Sequence, residues 1–136
     1  MIGKTGCGKS ATGNSILRKE VFKSGNNFSS CTRYCTRGES TFDTGIKPYK
    51  IIVVDTPGLF DTKSKADDVN KEIAKCLGVS SPGPHVILFV MSLAVRFTQE
   101  EENTALHFTN QFGEKLVDFV IILFSHGDTI KKRRLN

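Results

Sequence analysis

Gly3-Lys4-Thr5-Gly6-Cys7-Gly8-Lys9-Ser10 carries the spacing G-x-x-x-x-G-K-S at the head of a 136-residue chain. A loop of this composition wraps phosphate oxygens with backbone N–H groups, and a Cβ at Gly3 or Gly8 would crowd the wrap. A helix beginning near Lys9 would aim the positive end of its dipole at the same oxygens. Lys9 is placed to reach β- and γ-phosphates, and the Ser10 hydroxyl to ligate Mg2+. Gly3, Lys4, Thr5, Gly6, Cys7, Gly8, Lys9, Ser10 and Ala11 are therefore the expected phosphate-binding residues. Residues 11–17 continue as a short helix that Gly13 weakens. A Gly- and Ser-rich turn with an incidental lysine would carry the same letters, so the motifs downstream must decide.

The first of these is Asp55-Thr56-Pro57-Gly58, which ends the run Tyr49-Lys50-Ile51-Ile52-Val53-Val54. The run is β-branched and nearly all apolar, the pattern of a strand covered on both faces. Asp55 would stand at its carboxyl end, where open α/β sheets bind ligands, as an acid of the Mg2+ shell. Gly58 would offer its N–H to the γ-phosphate at an approach too close for a side chain. Alone, D-T-P-G is a turn. Behind an apolar strand and downstream of a P-loop, it reads as a γ-phosphate sensor.

A further apolar run, Phe119-Val120-Ile121-Ile122-Leu123-Phe124, leads into Ser125-His126-Gly127-Asp128. Guanine presents N1–H and N2–H2 as paired donors that one carboxylate accepts together, whereas adenine presents an acceptor at N1. Asp128 is thus the residue expected to select guanine. Ser125 and His126 stand where the common form, Asn/Thr-Lys-x-Asp, has its first two residues, and the His126 ring could lie on the purine face. A strand ending in a plain polar turn is the competing reading of this stretch.

The Gly8-to-Ser15 continuation of the P-loop resembles the immune-associated nucleotide-binding GTPases, the GIMAP family. So does Ser81-Pro82-Gly83-Pro84-His85, followed by an apolar strand over 86–91 and then Arg96-Phe97-Thr98-Gln99-Glu100-Glu101. The resemblance runs from Gly3 to about Asp128. It implies a Ras-like P-loop NTPase fold, α/β in three layers with a mostly parallel sheet, that binds GTP or GDP with Mg2+. It also implies that the chain is one partial G domain, 1–136, lacking most of the first strand and the C-terminal strand and helix. Thr32 matches the switch threonine that closes on Mg2+. Leu59 falls where Ras-like enzymes place the glutamine that orients water, so that group is missing in cis. Family members dimerise across the nucleotide face, and Arg96 matches the arginine that would reach the partner's γ-phosphate as a charge-stabilising finger. Arg96 on a plain solvated loop is the alternative.

Three functions follow as expectations: a slow GTPase switch promoted by dimerisation, a non-hydrolysing GTP-gated scaffold, and an incomplete, inactive G domain. An adenine-nucleotide kinase would share the P-loop but have no use for Asp128 or the D-T-P-G. The net charge of +5 owes much to Lys131-Lys132-Arg133-Arg134, a solvated tail rather than a nucleic-acid surface, because no aromatics interleave with it. No stretch reaches the length of a membrane span and no signal-peptide pattern opens the chain, so membrane association is not encoded here and a cytoplasmic setting is expected. Cys7, Cys31, Cys35 and Cys76 lack C-x-x-C spacing and suggest neither a zinc site nor a disulfide framework.

The remaining elements read from periodicity. Residues 23–32 form a loop of switch I composition. Residues 39–43 pair antiparallel with 49–54 around Thr44-Gly45. Residues 66–79 form a helix with Val69, Ile73 and Leu77 on one face, Cys76 serving in its packing. Residues 98–112 form another, opened by a Thr98–Glu101 capping box, striped by Ala105, Phe108 and Phe112, and ended by Gly113.

Overall fold

The computed structural model describes residues 1–24, 34–58 and 66–130. Cys31, Thr32, Leu59 and the basic run at 131–134 lie outside the described residues. The elements in chain order are α1 (Lys9–Leu17), β1 (Thr36–Phe42), β2 (Tyr49–Asp55), α2 (Ala66–Val79), β3 (Ile87–Ser92), α3 (Gln99–Phe112) and β4 (Val120–Ser125). Short 3-10 turns follow α3 and β4, at Glu114–Phe119 and Gly127–Thr129.

β1 and β2 pair antiparallel, from Thr36 opposite Asp55 to Phe42 opposite Tyr49. Their connection turns at Gly45, whose φ of 78° suits glycine and whose N–H donates to the Asp43 carboxylate at 2.8 Å. β3 and β4 pair parallel, from Ile87 with Val120 to Ser92 with Ser125. Met1 and Ile2 lie between the two pairs. The Ile2 N–H donates to Leu88 O, the Val90 N–H donates to Ile2 O, and the Met1 ammonium donates to Val54 O, each at 2.8 Å. Two residues thus join β1–β2 to β3–β4, and a cavity of about 470 Å3 opens beside them, walled by β2 residues 50–54 and by 86–88.

Apolar side chains pack on both sides of this junction. Ile2, Ile87, Phe89 and Phe108 form one cluster, against which Met91 and Phe112 rest. Leu17, Phe22 and Val53 form a second, under α1. Asn14 holds that corner, accepting the N–H groups of Val21 and Phe22 and donating to Phe22 O.

Three expectations change. β2 is not closely covered on both faces: Val53 and Asp55 are buried, whereas Ile52 is 47% exposed, because it faces the cavity between β2 and α2. The buried stripe of α3 is Glu101, Thr104 and Phe108, with Ala105 exposed, because the helix turns a carboxylate toward the P-loop. Cys76 does more than pack: its sulfur is joined to that of Cys35, with the Cα atoms 5.7 Å apart, inside the range a disulfide requires. Spacing along the chain is silent on such a pair, since 41 residues separate the two cysteines.

Candidate functional site: the phosphate corner

Ile2 carries the chain from the sheet directly into the glycine-rich loop. Gly3 has φ 149°, and a Cβ there would meet the Val90 carbonyl oxygen and lie 2.9 Å from Cys7 Sγ, so only glycine fits. Gly6 and Gly8 take φ of 78° and 94°, the left-handed region. α1 starts at Lys9 with Gly8 as its N-cap and no side chain bonded to its first turn, so backbone donors remain at the loop mouth. Lys9 is buried, and its Nζ donates to Gly3 O at 3.1 Å and Lys4 O at 2.9 Å. The ammonium is thereby held across the loop by two carbonyls that a phosphate oxygen would outcompete.

Asp55, at the end of β2, is 1% exposed and accepts the Ser10 hydroxyl at 2.5 Å. A hydroxyl and a carboxylate side by side are the hard oxygen donors that Mg2+ prefers. Thr5 Oγ1 adds a buried hydroxyl with no hydrogen-bond partner among the described residues. The donor set therefore fits the expected Mg2+ and phosphate. No group of three His, Cys, Asp or Glu stands together among the described residues, so nothing there invites a softer metal.

Gly58 lies directly against the P-loop. A Cβ on it would overlap Thr5 Oγ1 and come within 2.6 Å of Thr5 N and 2.7 Å of Thr5 Cα. The glycine is required here by the Thr5 backbone, whether or not a phosphate is present. Thr56 fastens the same segment by donating to Met1 O at 2.8 Å.

The purine end is tied to the phosphate end through Ser125. Its hydroxyl donates to Cys7 O at 2.6 Å, and its Oγ lies 2.9 Å from His126 Nδ1. Ser92 Oγ is 3.1 Å from the same ring nitrogen. His126 adopts φ 57°, and a Cβ on Gly8 would stand 3.3 Å from Ser125 and 3.6 Å from His126 Cε1. Asp128 is exposed on the turn that follows, which Thr129 closes by donating its N–H and hydroxyl to His126 O. Burial pushes the Cys7 thiol pKa up, outweighing the downward pull of Lys9.

On the opposite wall, Glu101 reaches the loop. Its carboxylate sits 3.3 Å from Lys4 Nζ and accepts the Thr98 N–H at 2.9 Å and the Thr98 hydroxyl, completing the capping box. Burial pushes the Glu101 pKa up, but the Thr98 bonds and Lys4 outweigh it and hold the carboxyl below its ordinary range. Arg96 stands exposed between β3 and α3 and makes no hydrogen bond or ion pair with the described residues. The structure thus gathers Gly3 to Ala11, Asp55, Gly58, Ser125 and His126 into one corner, while Asp128 stands exposed on the turn two residues beyond His126. Thr32 lies outside the described residues. Reading the sequence missed the anchoring role of Ser125, the Thr56 tie and the Lys4–Glu101 pair; only the capping-box pattern hinted at the last.

Comparison with known proteins agrees with this geometry. The AIG1 family model matches residues 1–136. Immune-associated nucleotide-binding protein 7 of Arabidopsis thaliana is 44% identical over 133 residues, 97% of this chain and 42% of that protein. Immune-associated nucleotide-binding protein 8 of the same plant is 43% identical over 131 residues, 96% of this chain and 36% of that protein. The chain therefore spans about two fifths of the length of these curated relatives. Two solved structures of Toc33 from Arabidopsis thaliana share the fold. A dimerization-deficient mutant superposes with TM-score 0.77 at 22% identity, covering 99% of this chain and 52% of that one. The complex with Mg2+ and GMPPNP gives 0.68 at 24%, covering 92% and 48%. A P-loop NTPase corner and a family model that spans every residue lead to one assignment: the chain belongs to the AIG1 family.

Proposed function

We propose that this chain is a guanine-nucleotide switch that binds GTP or GDP with Mg2+, hydrolyses GTP slowly, and is promoted by dimerisation across its nucleotide face. The observation that carries the reading is the convergence on one P-loop of segments 45 and 118 residues away, through Ser10–Asp55 and Ser125–Cys7. Lys9 and the loop N–H groups would bind the phosphates; Ser10, Asp55 and Thr32 would hold Mg2+, which when bound neutralises developing phosphate charge. Gly58 would sense the γ-phosphate, Asp128 would select guanine, and His126 would face the purine ring. The relatives named immune-associated nucleotide-binding proteins support the nucleotide, and the Toc33 complex with Mg2+ and GMPPNP supports the metal. The dimerization-deficient Toc33 mutant supports a second copy as partner, to which Arg96 would offer its guanidinium. The setting we propose is cytoplasmic. No described helix is long and apolar enough to cross a membrane.

A titration with GDP, GTP and ADP, with and without Mg2+, tests the reading. Guanine nucleotides should bind at least tenfold more tightly than ADP, a difference of about 1.4 kcal/mol. Lys9→Ala should abolish triphosphate binding; full affinity in that variant would overturn the P-loop assignment. Turnover per molecule should rise with protein concentration. A second reading, a GTP-gated scaffold that does not hydrolyse, is favoured by the apolar Leu59 at the water-orienting position. It predicts GTP-dependent assembly with no phosphate release.

A further inference from the structure

Cys35 and Cys76 meet at a mechanically sensitive place. Cys35 immediately precedes β1, whose first residue, Thr36, is paired with Asp55. The cysteine therefore stands one residue from the rung that carries the carboxylate bonded to Ser10. Cys76 lies on α2, the helix that follows the D-T-P-G segment, and its side chain is 4% exposed. Cys35 Sγ lies 3.1 Å from the Glu72 carbonyl oxygen on the same helix. Cys35 is partly exposed, and Cys76 lines the 470 Å3 cavity between β2 and the 86–88 segment. A small oxidant can reach the pair from either side.

We propose that Cys35 and Cys76 form a site of reversible oxidation by a small peroxide, and that their redox state sets how far the corner distinguishes a triphosphate from a diphosphate. The coupling to nucleotide rests on the function proposed above; the oxidation site rests on the cysteine geometry alone. The Cys35 thiolate attacks one peroxide oxygen, the O–O bond breaks, and hydroxide leaves, giving a sulfenic acid. Cys76 sulfur then attacks Cys35 sulfur, the S–S bond forms, the S–O bond breaks, and the departing hydroxide takes the Cys76 proton as water. Two thiols are oxidised by one peroxide, and a dithiol reductant reverses the step.

The physical consequence follows from what is tied. The link ties the start of β1, where Thr36 pairs with Asp55, to α2. Asp55 is the acid bonded to Ser10 at the phosphate corner. Restraining its strand limits how far that acid can readjust between tri- and diphosphate. Oxidation therefore narrows the preference for triphosphate.

The experiment uses the whole chain, treated with hydrogen peroxide or with dithiothreitol. A non-reducing peptide map should show Cys35 linked to Cys76, with Cys7 and Cys31 still free, and the link should vanish on reduction. The ratio of GMPPNP to GDP affinity, measured with Mg2+, should fall about fivefold on oxidation and recover on reduction. In Cys35→Ser and in Cys76→Ser, peroxide should leave the ratio unchanged. A link through Cys31, four free thiols after peroxide treatment, or equal ratios in both redox states would each overturn the proposal. If neither state binds any nucleotide, both the switch reading and the coupling fail, while the map still decides whether the oxidation site exists.

Discussion

Replacing Gly58 with Ala should loosen nucleotide binding because the new methyl group collides with the P-loop itself. Its Cβ would lie 2.6 Å from Thr5 N and 2.7 Å from Thr5 Cα, besides overlapping the Thr5 hydroxyl. Backbone atoms cannot swing aside as a flexible side-chain tip can. Moving Thr5 N out to the 3.4 Å at which ordinary contact begins takes a shift of about 0.8 Å. Misplacing a binding group by about 1 Å costs up to roughly a hundredfold. The expected loss of GDP affinity is therefore about 10- to 100-fold, or about 1.4–2.8 kcal/mol. Overpacking should also lower folding stability by about 1–3 kcal/mol. Fluorescent-GDP titration and a thermal melt measure the two effects. Gly78→Ala is the control: Gly78 is exposed on α2 with nothing within 4 Å of its added Cβ. That change should stabilise by up to about 1 kcal/mol, raise the melting temperature by a few degrees, and leave GDP binding alone. Wild-type affinity and wild-type melting in Gly58→Ala would refute the idea that Gly58 is pressed against Thr5.

Other changes test the remaining ties. Ser125→Ala removes the donor to Cys7 O and should weaken GDP binding about tenfold, read by the same titration. Asp128→Asn offers an amide donor where guanine has its own N2–H2, so affinity should fall about a hundredfold for GDP and rise for xanthosine diphosphate, whose C2 oxygen accepts; unchanged guanine preference would remove Asp128 from the base site. The Met1 ammonium is pushed down from 8.0 to about 6, chiefly by burial, with Asp55 opposing and Lys9 adding to the fall. Between those values the unfolded chain holds a proton that the folded chain has shed. Stability should thus rise by about 2 kcal/mol from pH 6 to pH 8 in denaturant melts, and acetylating Met1 should flatten that rise relative to the free amine.

Several elements were legible without coordinates because their causes are local. The P-loop letters specify a left-handed glycine turn and a helix start, and α1 begins at Lys9. The apolar run before Asp55 became β2, and the 66–79 periodicity became α2 with the same bounds. Thr98 and Glu101 formed their capping box, since its partners are three residues apart. The face of α3 was misjudged because Phe108 and Phe112 suit two neighbouring stripes, and the choice fell to the Lys4 partner of Glu101.

Sequence alone determined that this chain has a phosphate loop, a strand-end acid and a fold of alternating strands and helices. Each of these is written in residues close enough to share one turn or one strand. Tertiary structure alone decided that Ser125 grips the Cys7 carbonyl, that Gly58 leaves room for Thr5, and that Cys35 meets Cys76. Hydrogen bonds, close packing and sulfur contacts act over a few ångströms, and sequence distance does not reveal which remote residues will come that close. Met1 bonded to Val54 and Ile2 paired with Phe89 bring the two strand pairs side by side, a proximity written in no local stretch of sequence.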